Sequence, residues 1–168
     1  GFVKRIEFAN FTCTFGERLA MLDLFEEVIW PAFQPMSNTR WFKGTQFFFL
    51  DTQLIKVSDG QEHSIFCLSG RFVKNTKLKR EQIFRREEGL IEDYTELETA
   101  PSSMFVLMLD NHRLLFVREV AGAPDLSTFR ATAQRFLTKR HREYVLGLLE
   151  KNEREIKADN SIQRETRK

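Results

Sequence analysis

Between residues 45 and 120 the chain is written largely as short runs of aromatic, β-branched and other apolar residues: 45–50 (TQFFFL), 53–58 (QLIKVS), 63–74 (HSIFCLSGRFVK), 103–109 (SMFVLML) and 113–120 (RLLFVREV). Runs of this length and composition, bounded by turn residues, read as β-strands. Asp59-Gly60 is a hairpin signal between the second and third runs, and Asp110-Asn111-His112 turns the fourth into the fifth. The unbroken apolar stretch 103–109 suits a central strand covered on both faces. Gly70, inside the third run, predicts a bulge or a close backbone approach. An antiparallel meander follows.

The flanks supply the helices. Residues 2–15 alternate, with Val3, Ile6, Phe8, Phe11, Cys13 and Phe15 on the apolar side, and predict a strand bent at Ala9-Asn10. Residues 17–33 predict a helix with Leu22, Phe25, Ile29 and Phe33 on one stripe, limited by Pro31 and Pro35. The stretch 36–44 reads as a loop. A short helix is expected over 78–90, stopping at Gly89, then a surface connection over 91–102. Asp125 or Ser127 can cap a helix over 126–138 that buries Leu126, Phe129, Ala133 and Phe136. A further helix starts near Arg142, with Val145, Leu148, Leu149, Asn152 and Ile156 at helical spacing.

These elements predict an α+β fold: a mixed, largely antiparallel sheet of about six strands, one N-terminal helix, a short central helix and two C-terminal helices. At 168 residues the chain is long enough to bury one substantial core. Residues 1–157 are read as a single domain, and 158–168 as a polar tail or the stem of a continuation.

Several function classes find no support. No stretch approaches the apolar length of a spanning helix, so no membrane is expected. The charged residues Lys4 and Arg5 come too early for a secretory signal. Cys13 and Cys67 sit in strand-like apolar contexts and read as reduced core thiols, which points to the cytoplasm. His63, His112 and His141 lack partners at metal-ligand spacing, so no metal or cofactor is expected. There is no nucleophile elbow and no glycine-rich phosphate loop. Glu87/Glu88 and Glu92/Asp93 are the carboxylate pairs a divergent metal-dependent nuclease would use, although a solvated face accounts for them better. The 17 phenylalanines fall at strand periodicity and read as core rather than as a base-stacking platform.

The charge pattern carries the positive signal. Net charge is only +2, yet over 71–86 the chain carries Arg71, Lys74, Lys77, Lys79, Arg80, Arg85 and Arg86 against the single acid Glu81. The next stretch reverses sign with Glu87, Glu88, Glu92, Asp93, Glu96 and Glu98. A second basic knot, Lys139-Arg140-His141-Arg142, falls between the two expected C-terminal helices. Trp41, beside Arg40 and Lys43, is the aromatic expected to be exposed.

A further pointer is a resemblance over 70–138. Gly70-Arg71-Phe72-Val73-Lys74 leads into a charged helix, and Ala100-Pro101-Ser102-Ser103 precedes two hydrophobic strands. Ala123-Pro124-Asp125-Leu126-Ser127-Thr128-Phe129 then opens a helix. This order resembles the N-terminal part of the RexA-like family of phage-exclusion proteins. The resemblance covers under half the chain and implies a bacterial, defence-associated, DNA-contacting protein with no catalytic residue.

The expected function is therefore a non-catalytic nucleic-acid-binding or sensing domain, with DNA favoured over RNA. Its expected contact set is Arg71, Lys74, Lys77, Lys79, Arg80, Arg85 and Arg86, extended by Lys139, Arg140, Arg142 and Trp41. The competing expectation is a protein-interaction subunit, self-associating or docked on a partner through Leu148, Leu149 and Ile156.

Overall fold

A computed structural model describes residues 1–12, 21–35, 38–58, 60, 62–76 and 100–166. Six strands form one antiparallel sheet: β1 (Ile6–Asn10), β2 (Arg40–Phe42), β3 (Thr45–Ser58), β4 (Ser64–Asn75), β5 (Ser102–Met108) and β6 (Arg113–Arg118). Their spatial order is β1-β6-β5-β4-β3-β2. Strands β2 to β6 are thus a meander, and β1 closes the far edge beside β6. The α+β class and the antiparallel sheet agree with the sequence.

The strand count of six is reached differently from the way the sequence suggests. The segments 45–50 and 53–58 are one strand, β3, and not two. Pairing with β4 runs Leu50↔Arg71 and resumes at Gln53↔Ser69, so Asp51 and Thr52 together face Gly70. The bulge expected at Gly70 therefore lies in the opposing strand, with Asp51 at φ 52°. What Gly70 does provide is close approach: a Cβ there would stand 2.9 Å from the Phe105 ring and 3.3 Å from the Leu50 carbonyl oxygen.

The sixth strand is β2, taken from the stretch expected to be a loop. Phe42 pairs with Thr45, and the two residues between them, Lys43 (φ 50°) and Gly44 (φ 77°), both adopt positive φ. That is the two-residue hairpin turn whose twist matches its flanking strands.

Strand alternation defines two faces. Phe47, Phe49, Leu68, Phe72, Phe105, Leu107, Leu114 and Phe116 belong to the main core, on the face covered by helices. Phe48, Leu50 and Val73 form a smaller buried cluster on the opposite, far face. The triple Phe47-Phe48-Phe49 is therefore core on both sides, as its period requires.

Residues 21–32 supply part of the cover. They pass through a 3-10 turn (Met21–Leu24), a π turn (Phe25–Ile29) and a short α turn, α1 (Trp30–Ala32). Pro31 sits in the first turn of α1, where a missing N–H is tolerated. The wider π turn shifts the buried stripe, so Leu24, Val28, Ile29, Ala32 and Phe33 are buried while Phe25 is only half-buried.

The two expected C-terminal helices are one. Helix α2 spans Leu126–Thr166 without a break, 41 residues or about 60 Å at 1.5 Å per residue. Phe129, Thr132, Ala133, Phe136 and Leu137 are its buried positions, and every residue from 145 to 166 is exposed. Residues 158–166 of the segment read as a polar tail thus continue this helix. No described helix is long and apolar enough to cross a membrane. The expected helix over 78–90 lies outside the described residues.

Phe129 ties the layers together. Its ring centroid lies 5.0 Å from Phe105, 5.5 Å from Phe116, 5.6 Å from Phe72, 5.8 Å from Phe49 and 5.9 Å from Phe11. Edge-on and tilted pairs at these separations are favourable beyond the area they bury.

Candidate nucleic-acid interface

The contiguous basic run is divided by the sheet. Arg71 and Lys74 are three residues apart on β4, so a period of two sends them to opposite faces. Arg71 lies opposite Leu50 and one register step from Val73, on the far face. There its Nε and Nη2 donate to Ser102 Oγ at 3.2 and 3.0 Å, and its Nη1 stands 3.5 Å from Asp51 Oδ2. The guanidinium is largely committed to the bulge and to β5. Lys74 pairs with Phe47 and shares the helix-covered face with it. Lys77, Lys79, Arg80, Arg85 and Arg86 lie outside the described residues, as do the carboxylate pairs Glu87/Glu88 and Glu92/Asp93.

Trp41 is exposed, at 46%, but on β2 rather than in a loop. Its neighbour Arg40 reaches the covered face and donates from Nη1 to Thr132 Oγ1 of α2 at 3.0 Å. Alternation therefore turns Trp41 to the far face, across the sheet from α2.

The first half of α2 brings cations together more effectively. From 126 to 142 the sequence holds Arg130, Arg135, Lys139, Arg140 and Arg142 and no acid. Positions 131, 134, 135, 138 and 142 recur at helical spacing, on the side turned away from Phe129, Ala133 and Phe136. Arg130, Arg135, Lys139 and Arg142 are all exposed there. With the small residues Ser127, Ala131 and Thr138 and with Gln134, they line an open depression of about 800 Å³. From residue 130 to residue 142 this face runs about 18 Å along the helix axis.

Arg140 departs from this set. Its Nε donates to the Glu27 carbonyl oxygen at 3.1 Å and its Nη1 to Glu143 Oε2 at 3.2 Å. It clamps α2 to the 21–32 segment and so serves the fold.

The helix N-terminus is set by Asp125, not Ser127. Asp125 Oδ1 accepts from the Thr128 backbone N–H at 2.8 Å, and the Asp125 carbonyl accepts from Phe129 N–H at 3.0 Å. The hydrogen bonds from the Thr128 backbone and then its side chain hold the Asp125 carboxyl below its ordinary value, with smaller help from Arg118 and Lys74. Lys74 and Arg118 therefore place positive charge at the start of the same helix.

No family model, curated protein or solved structure matches this chain.

Among the described residues no group of three His, Cys, Asp or Glu side chains is placed to hold a metal ion. Cys67 is a free, buried thiol, and burial, then the nearby Asp110 charge, raises its pKa. A thiol in that state is a poor nucleophile. Cys13 lies outside the described residues.

Sequence reasoning missed Arg130 and Arg135. They are legible as members of an acid-free stretch, but only a continuous helix sets them around one outward side with Lys139 and Arg142.

Proposed function

We propose that this domain binds nucleic acid without catalysis, and that the outward face of α2 is its contact surface. The supporting observation is the exposed, acid-free array of Arg135 and Arg142 on the outward side of α2, flanked by Lys139 on one edge and Arg130 on the other. Phosphate contacts by Lys and Arg give sequence-independent affinity, and a helix is the element that fits the major groove of duplex DNA. Gln134 and Thr138, set between the cations, are polar groups of the kind that read base edges. Lys74 extends the positive surface toward the start of the helix, and the cations of 77–86 remain candidates for the same strand. Arg71, Arg140 and Trp41 leave the proposed contact set, because the first two are engaged in the fold and the third faces the other side of the sheet. A role in anti-phage defence rests on the RexA-like resemblance alone.

The test is a fluorescence-anisotropy titration of a labelled 20-base-pair duplex at several salt concentrations. Four phosphate contacts at ~0.9 each give a log–log salt slope of magnitude about 3.6. Binding that ignores salt would remove the proposal, and parallel titration with an RNA duplex decides between DNA and RNA.

A second reading, docking of a partner protein, is favoured by the distal half of α2. There Leu146, Leu148, Leu149 and Ile156 are exposed at 54%, 44%, 55% and 60%. A pull-down that is lost in a Leu149→Glu/Ile156→Glu variant, with duplex binding unchanged, would support it.

A further inference from the structure

The sheet has two edges, and they are finished differently. At one edge β2 is three residues long and pairs only with Thr45–Phe47 of β3, so β3 from Phe48 to Ser58 continues that edge, and the bulge at Asp51 and Thr52 interrupts it as a template for pairing. At the other, β1 presents Ile6 and Phe8 at 60% and 78% exposure, preceded by Val3 at 67%. Phe8 is the most exposed large apolar side chain among the described residues. Both Ile6 and Phe8 project on the far face, where they pair with Val117 and Leu115 of β6, and Val117 in turn pairs with Met104 of β5. Met104 is 46% exposed. An apolar strip therefore crosses three strands and stops at an edge that, among the described residues, carries no further strand.

The backbone of β1 limits how that edge can be continued. Phe11 N–H donates to the carbonyl oxygen of His112 at 2.7 Å, and the register Ile6↔Val117 to Asn10↔Arg113 sets Phe11 directly opposite His112. Antiparallel pairs alternate between bonded and non-bonded, so residues 7, 9 and 11 spend their hydrogen bonds on β6. Residues 4, 6, 8 and 10 turn theirs outward. A second β1 strand can pair only by matching outward residues with outward residues, which admits two-fold axes at residues and none between them.

Charge then selects among those registers. An axis at Arg5 sets Arg5 against itself, and an axis at Glu7 sets Glu7 against itself. An axis at Phe8 leaves Glu7 opposite Ala9. An axis at Ile6 places Arg5 of each strand opposite Glu7 of the other, twice, in the non-bonded positions where side chains stand closest. It also makes Ile6–Ile6 a bonded pair on the far face, with each Phe8 diagonal to the other strand's Ile6.

We infer that β1 is a self-association edge: two copies of this chain pair antiparallel through residues 4–8, about a two-fold axis at Ile6, and join their sheets into one of twelve strands. The self-complementary Arg5 and Glu7 favour a second copy over an unrelated strand. This inference is independent of the nucleic-acid reading.

The experiment is sedimentation velocity over a wide concentration range on the chain and four variants. The wild-type chain should show a concentration-dependent dimer. Arg5→Glu and Glu7→Arg should each weaken it by about tenfold or more, because two attractive cross-strand pairs become repulsive. The double exchange Arg5→Glu/Glu7→Arg should restore it. Leu149→Glu/Ile156→Glu should leave it unchanged, which separates β1 pairing from association through α2. A chain that stays monomeric at every concentration overturns the inference. So does a dimer indifferent to the single reversals, or a double exchange no better than either single variant.

Discussion

The ring of Phe105 fills the space that a side chain on Gly70 would need, 2.9 Å from where the Cβ would stand. Strands β4 and β5 place the two residues in direct register, and the bulge at Asp51 and Thr52 faces the same glycine from β3. Phe105 is itself wedged between Phe33, Phe49 and Phe129, so it has nowhere to move. Gly70→Ala should therefore cost about 1–3 kcal/mol, the range for overpacking a tight core. Urea denaturation gives this directly, and an unchanged midpoint would mean that the ring can yield.

Phe129 should be the most costly single truncation in the domain. Its ring meets five others, four of them on β3 to β6 and the fifth, Phe11, just past β1. Phe129→Ala is expected to destabilise by about 3–5 kcal/mol. A loss below that range in the same denaturation assay would place the centre of the core elsewhere.

Asp125 makes stability depend on acid in a defined direction. Its carboxyl is held lower in the folded chain than in the unfolded one, chiefly by the Thr128 hydrogen bonds. The cap thus contributes fully above the unfolded value of about 3.9 and is lost as pH falls through the lower folded value. Asp125→Ala should cost about 1 kcal/mol at neutral pH, and the gap to wild type should close on acidification. A gap that stays constant with pH would show that the carboxylate is not the cap.

Arg140 separates folding from binding. Its bond to the Glu27 carbonyl holds α2 against the 21–32 segment and its pair with Glu143 lies within α2, both at a partly exposed site where such contacts are worth under about 1 kcal/mol. Arg140→Ala should lower the melting temperature slightly and leave duplex affinity unchanged. A loss of affinity without loss of stability would return Arg140 to the contact face.

Much of this architecture is legible in the sequence, because strand periodicity is strong wherever phenylalanine recurs. Phe47 and Phe49 against Phe48, and Phe72 against Val73, announce two buried faces. Three features escape for physical reasons. Strand β2 is only Arg40-Trp41-Phe42, too short for periodicity, and its signal is the Lys43-Gly44 turn after it. Thr45–Ser58 reads as two strands because a bulge mimics a break. Lys139-Arg140-His141-Arg142 reads as an interhelix knot because it is polar, but these residues do not stop a helix as Gly or Pro would. Once α2 is continuous, the basic knot becomes one end of an exposed face. The opposite facing of Arg71 and Lys74 was also available from the period of two. The continuity of like charge over 71–86 conceals it.

The most direct measurement compares duplex affinity, at fixed low salt, for Arg135→Glu/Lys139→Glu and for Arg71→Glu. The first pair reverses charge on the outward face of α2, and the second on the far face of the sheet. The account predicts that the α2 variant loses at least about tenfold in affinity, while the Arg71 variant binds as the wild-type chain does. Equal losses in both, or a loss confined to Arg71→Glu, would contradict it.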